Sequence, residues 1–361
     1  MNTKKISVEI TDQITPEVIC GLELYARLTN QSSLRDTVDD WLYWFKDNPF
    51  GTGLFAYAKS GGQVVGFYSA IPTEMLLSGE LQVGAKGEFF AVDPLFKKTV
   101  DISSGLDLPY ALAYRLNRAA IEYGFKTTFA TARKGAEILL VFTGAKTLKY
   151  CKRLFVTYFK PPEIMSRRNP VLKTLYSHYL KVYTSLRRFY FMFRLTEKAE
   201  TSNFRLQEEY SQDDLIPDRD KNVLFLPSVR MLNFRFPANK YLKYSIEGNN
   251  NQPCYLVFTK PDINRVVELK YWSSGYIPPE TLARVIHDVI KRCRKAHAAS
   301  LGFPVNLDDE DKQSLLKKMG FLETKRTNRA FVFSADKRVM QKCKDPQQWL
   351  LTDAHTGYYQ I

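Results

Sequence analysis

The chain carries one plan twice, and that repetition restricts its fold more than any other feature. "WLYWFKDNPFGTGLFAYA" (Trp41–Ala58) runs an aromatic helix end into a basic residue, a proline and a strand. "RMLNFRFPANKYLKYS" (Arg230–Ser245) repeats that order. Later, "SLLKKMGFLETKRTNRAFVF" reads as a short helix, a Gly-Phe turn and two strands, and Thr143-Gly144-Ala145 is a weaker version of that turn in the first half. Two diverged copies of one unit in 361 residues predict two domains of ordinary size.

Each copy alternates helix and strand signals. Residues 17–47 read as helix, stopped by Pro49 and Gly51. A hairpin follows around Ser60-Gly61-Gly62, and "LQVGAKGEFFAVDP" adds an arm that closes at Pro94. Asp107 is placed to cap a helix with Pro109 in its first turn, ending before Gly124. "KTTFATA" is a strand, "GAEILLVFTGAKTL" a short helix, and "KRLFVTYFK" the last strand of the half. In the second half "QPCYLVFTK" and "RVVELKYWSS" are strands, and "PPETLARVIHDVIKRCRKAHAASLGF" is a proline-started helix. The expected class is α/β (α+β): residues 1–160 and 201–361 form tandem domains, each a mixed twisted sheet flanked by helices, with a linker at 161–200.

Several classes are disfavoured. No run of about 18 apolar residues occurs, so no spanning helix is expected. The start, "MNTKKISVEITDQ", reads as a strand and not as a signal peptide. Five scattered cysteines without a CxxC fit reduced thiols in the cytoplasm, and four histidines never reach metal-ligand spacing. The net charge of +14 attracts phosphates, whether in nucleic acid, anionic lipid or small polyphosphorylated ligands.

Residues 165–195 have a distinct character. Leu172, Tyr176, Tyr179, Tyr183, Leu186, Tyr190 and Phe193 recur at helical spacing among basic residues, with no acid between Arg167 and Arg194. The preferred expectation is an interdomain helix packed through that aromatic stripe. The alternative is a basic amphipathic helix lying on an anionic membrane.

At Val92-Asp93-Pro94 and Met319-Gly320-Phe321 the sequence resembles the GNAT superfamily of acyl-coenzyme A N-acyltransferases, as a tandem pair. "W-x-x-W…NP" (Trp41, Trp44, Asn48, Pro49) and "WLLTDAHT" (Trp349–Thr356) resemble two-domain N-acyltransferases of nucleotide-linked amino sugars. The resemblance implies acetyl- or 3-hydroxyacyl-coenzyme A as co-substrate with no tightly bound cofactor, a nucleotide-linked amino sugar as acceptor, no DNA partner, and a cytoplasmic monomer or homodimer. It places the coenzyme on the backbone of Phe90, Ala91 and Val92, with Val92 or Ala91 offering the oxyanion amide.

The family's R/Q-x-x-G-x-G/A loop is altered here. Lys97 and Lys98 supply charge, while Ser103, Ser104 and Gly105 stand just before the helix start. Arg133, after "KTTFATA", is a further phosphate contact or a solvated charge. Glu88, on the strand ending at Val92 and on its face by period two, is the expected base. Asn48, Asp93, Asp101, Asp353 and His355 are expected near the acceptor, with turn capping the rival role of Asn48 and Asp101. The tyrosine that often serves the family as general acid is replaced by Leu140 and Leu316, so the substrate's own proton must reach the leaving thiolate. Two rival readings remain: a Fem-like transferase using aminoacyl-tRNA, and a non-catalytic duplicated scaffold.

Overall fold

The structure, a computed structural model, describes residues 5–29, 38–77, 80–132, 139, 141, 144–159, 174–175, 178–179, 182–183, 185–186, 204–211, 223–225, 228–247, 253–262, 265–273, 277–306, 309–334, 337–342 and 349–350. The first half opens with β1 (Lys5–Ile6) and β2 (Val8–Thr11), then α1 (Pro16–Leu28) and α2 (Val38–Lys46). The single helix expected over 17–47 is thus two helices, with residues 30–37 outside the described set. Next come β3 (Leu54–Ser60), β4 (Gln63–Leu77), β5 (Glu80–Val92), the short β6 (Val100–Asp101), α3 (Leu108–Glu122), β7 (Thr127–Ala132) and β8 (Lys146–Tyr158). Gly61 and Gly62 turn the β3–β4 hairpin at φ 58° and 82°, which a side chain at either position would resist.

In the second half β9 (Phe204–Gln207) and β10 (Val223–Phe225) precede α4 (Val229–Arg235). Then follow β11 (Tyr241–Glu247), β12 (Pro253–Thr259), β13 (Val266–Trp272), α5 (Pro279–Lys295), β14 (Ser300–Asn306), α6 (Glu310–Lys318), β15 (Leu322–Ser334), α7 (Lys337–Lys342) and β16 (Trp349–Leu350). After α6 the sequence suggested two strands. There is one 13-residue strand, β15, whose pairing with β8 shifts register between Glu323 and Thr327 and between Arg329 and Phe331.

The halves share one sheet, in the order β16-β10-β4-β5-β7-β15-β8-β14-β13-β12-β11-β9, with β3 also paired to β4 and β2 to β3. Strand β15, from the end of the second half, lies between β7 and β8 of the first. Reciprocally, β8 lies between β15 and β14. Each half therefore completes the other's sheet, and the polar ladder edges that would remain at β7 and β14 are paired internally. Two of the apolar cores lie under helices. Helix α3 packs Leu108, Ala111, Leu112 and Leu116 against β3–β5, and α5 packs Leu282, Val285, Ile286 and Val289 against β11–β14.

Candidate active site

Strands β5 and β7 run parallel but pair only at Ala85–Thr128 and Lys86–Phe129. Beyond Lys86, β5 continues to Val92 without that neighbour, and the two strands splay. The departure has a local cause. On β4, Phe67 pairs with Ala91 and Ser69 with Glu88, so Tyr68 faces both Phe89 and Phe90 in a bulge. Phe89 holds φ at 56°, left-handed territory that costs a non-glycine residue about 1–2 kcal/mol. Its ring pays for this by packing at 5.2–6.1 Å centroid separation on Tyr25, Trp41, Trp44 and Phe45. At Gly87, beside the bulge, a Cβ would collide with the Tyr68 hydroxyl, so any side chain there requires that ring to move.

The bulge also corrects the face assigned to Glu88. An inserted residue reverses the alternation, so Val92 joins the core beneath α3 while Glu88 and Phe89 turn toward α2 and α4. There the Lys86 ammonium donates to Glu88 Oε1, and Arg235 Nη2, at the end of α4, stands 3.7 Å from the same oxygen. The Arg235 guanidinium covers the Trp44 ring at 3.7 Å, and Ser69 Oγ donates to the Glu88 carbonyl at 2.9 Å. Burial holds the Lys86 ammonium down to about 8 from an ordinary 10.5; Glu88 opposes that shift, while Arg235 and Lys270 add to it. Lys86 and Arg235 are functional candidates that the sequence reading missed. Their signals were a Lys-x-Glu spacing on one strand face and the basic residue of the repeated aromatic-basic-proline segment.

The second half reproduces the splay. Strand β13 pairs with β14 only from Val266–Ser300 to Glu268–Gly302, and its pairing with β12 is irregular opposite Val257 and Phe258. Lys270 donates to Glu268 at 2.6 Å on this strand. The two helix starts differ, however. Helix α5 opens with Pro278 at its cap, Pro279 and Glu280, which remove amides and add negative charge where an anion would sit. Helix α3 has no acid within its first turn, although it too carries a proline there, Pro109, and Asp107 at its cap; Lys97 and Lys98 are exposed in the segment before it. Lys97 and Lys98 favour an anion at the first splay, against the charge of Asp107 at the cap.

The segment from Asp93 to Asp107 is a folded connection, not a glycine loop. Asp93 Oδ1 accepts from Leu95 N at 3.0 Å and starts a short 3-10 turn. Asp101 is fully buried and accepts from Val8 N (2.9 Å), Ser104 N (2.8 Å) and Ser104 Oγ (2.6 Å), with Arg115 at 3.9 Å. Gly105 donates to the Asp101 carbonyl at 2.9 Å with φ 68°. These bonds turn the Ser104 side chain and the Gly105 amide toward Asp101 and give Asp101 a turn-capping geometry. Asp107 occupies the α3 cap without a side-chain bond, and Leu108 N donates instead to Thr99 O at 2.8 Å. Ser103, like Lys97 and Lys98, is exposed. Asn48 locks the end of α2: its Nδ2 donates to Trp44 O (3.2 Å) and Pro72 O (2.9 Å), and its Oδ1 accepts from Phe50 N. Phe90 packs edge-on against Tyr68, and Ala91 pairs with Phe67. Arg133, Leu140, Asp353 and His355 lie outside the described residues, and Leu316 is buried in the second core.

No protein-family model matches the chain, and no curated protein matches it significantly. Solved structures share its fold. A GCN5-related N-acetyltransferase from Kribbella flavida superposes with a TM-score of 0.53 at 12% identity, over 92% of this chain and 73% of that one. Saccharomyces cerevisiae N-myristoyltransferase with bound myristoyl-CoA gives 0.57 at 12% identity, over 91% and 78%. A tandem GNAT protein from the clavulanic acid biosynthesis pathway gives 0.52 at 12% identity, over 91% and 99%. The chain has the GNAT fold, in tandem.

Proposed function

We propose that this chain is an N-acyltransferase that moves an acetyl or 3-hydroxyacyl group from coenzyme A to the amine of a nucleotide-linked amino deoxysugar. The observation that carries the reading is the splay after Lys86, where β5 loses its parallel neighbour. An unpaired strand edge accepts an extended chain that bears amides, and the pantetheine arm of coenzyme A is such a chain. Among the solved structures that share this fold, Saccharomyces cerevisiae N-myristoyltransferase holds myristoyl-CoA. The exposed Lys97 and Lys98 suit its phosphates, and on that ground we propose the coenzyme for residues 1–160 and the completion of the acceptor side for 201–361. The sugar nucleotide rests on the sequence resemblance, and the net charge of +14 suits its diphosphate.

In this reading the neutral amine attacks the thioester carbonyl, a C–N bond forms, and the oxyanion is met by a β5 amide near Ala91 or Val92. Glu88, held by Lys86 and Arg235, accepts the amine's proton. Collapse breaks the C–S bond, and the same proton passes to the thiolate. A ligand that binds only the native state raises its melting temperature. Acetyl-coenzyme A and 3-hydroxyacyl-coenzyme A are expected to raise it by several degrees. No shift with either, or a salt-sensitive shift with tRNA alone, overturns the reading.

A further inference from the structure

Arg235 is not needed to neutralise Glu88. Lys86 already donates to Glu88 Oε1, so that carboxylate has a counter-charge on its own strand. Arg235 Nη2 stands 3.7 Å from the same oxygen, beyond hydrogen-bond length, and the guanidinium makes no hydrogen bond among the described residues. Its side chain is nevertheless only 8% exposed. A charge withdrawn from water this far is stable where an opposite charge pairs with it and its N–H donors find acceptors.

The local charge balance has the same sign. Lys270 lies close enough to Lys86 to help hold its ammonium down, but brings its own carboxylate, Glu268, at 2.6 Å. Three buried cations, Lys86, Arg235 and Lys270, thus share two carboxylates, Glu88 and Glu268, in this cluster of described residues. Arg235 is also held in place. The Trp44 ring lies against its guanidinium at 3.7 Å, which fixes the plane and leaves the edge of the fork as the bonding side. Tyr43 stacks on Phe234 at 5.0 Å, and Lys240 Nζ meets Asp40 at 2.8 Å, so α2 and α4 are clasped across the halves. A fork fixed in this way loses little freedom when it takes a ligand.

We infer that Arg235 binds an anionic group of the acceptor, a carboxylate or a phosphate, through two parallel N–H bonds beside Glu88. The word acceptor rests on the acyl-transfer reading; the anion site does not. Because the guanidinium and the expected base are 3.7 Å apart, the substrate class is an amine that carries its negative charge close to the nitrogen. The diphosphate of a sugar nucleotide is one source of that charge, and a carboxylate on the acceptor is the other.

Calorimetric titration of the full chain at constant ionic strength, without coenzyme, tests the site. A Lys97→Ala/Lys98→Ala background removes anions drawn to those exposed lysines. Inorganic pyrophosphate is the phosphate probe and malonate the carboxylate probe. Saturable binding is expected, and the tighter probe names the source. Arg235→Lys keeps the charge but not the fork, and is expected to weaken binding about tenfold. Arg230→Met, at an exposed cation of the same helix, is expected to leave it unchanged. Binding of neither anion, or binding that Arg235→Lys leaves undiminished, overturns the inference. No coenzyme enters the titration, so a failure of acyl transfer is distinguishable from a failure of this site.

Discussion

At the scale of single residues, burial makes two charges informative. Asp101 is buried; desolvation pushes its carboxyl up, yet the Ser104 and Val8 donors and Arg115 outweigh that and hold it below the ordinary 3.8. Its contribution to stability is therefore complete above the unfolded value and is lost as pH falls through the lower folded one. Asp101→Ala leaves buried donors unmatched, and a loss of about 3 kcal/mol in urea unfolding is expected at pH 7. Lys86 has the opposite sign. Because its ammonium is held to about 8 when folded against 10.5 unfolded, the unfolded chain carries the extra proton between those values. Stability should rise with pH across that window, by about 2 kcal/mol between pH 7.5 and 9.5. Lys86→Met is expected to flatten that rise in urea midpoints measured at the two pH values.

At the scale of elements, the strand signals of β5 were plain in the sequence, but its bulge was not. Period-two alternation put Glu88 and Val92 on one face, because nothing in "GEFFAV" announces an extra residue. The left-handed site is occupied by Phe89, where a glycine would have given the warning. The aromatic cage that tolerates this comes from α1 and α2, distant in sequence, so only tertiary packing reveals it. Phe89→Ala keeps the backbone strain and loses the ring, and a cost of about 3–5 kcal/mol is expected by chemical denaturation. Phe89→Gly relieves the strain and should be the milder of the two. The cradle was legible only as an altered glycine loop. Its inward bonds to Asp101 depend on β2, through Val8 N, and that pairing cannot be read from local sequence.

At the scale of the whole molecule, the duplication read from the repeated segments stands in the fold, while the exchange of β8 and β15 does not follow from any motif. Strand exchange makes the halves interdependent. Fragments 1–160 and 201–361 expressed alone are expected to be insoluble or unfolded by circular dichroism, and to recover a cooperative transition when co-expressed. The seam between them also holds the candidate chemistry, since Arg235 reaches Glu88 from the other half. Release of free thiol from acetyl- or 3-hydroxyacyl-coenzyme A, followed across a panel of nucleotide-linked amino sugars, tests the central claim most directly. The account predicts thiol release that requires the amino sugar and falls about 10²-fold or more in Glu88→Gln, within the range for loss of a general base. Coenzyme esters that remain intact with every amine offered would contradict it.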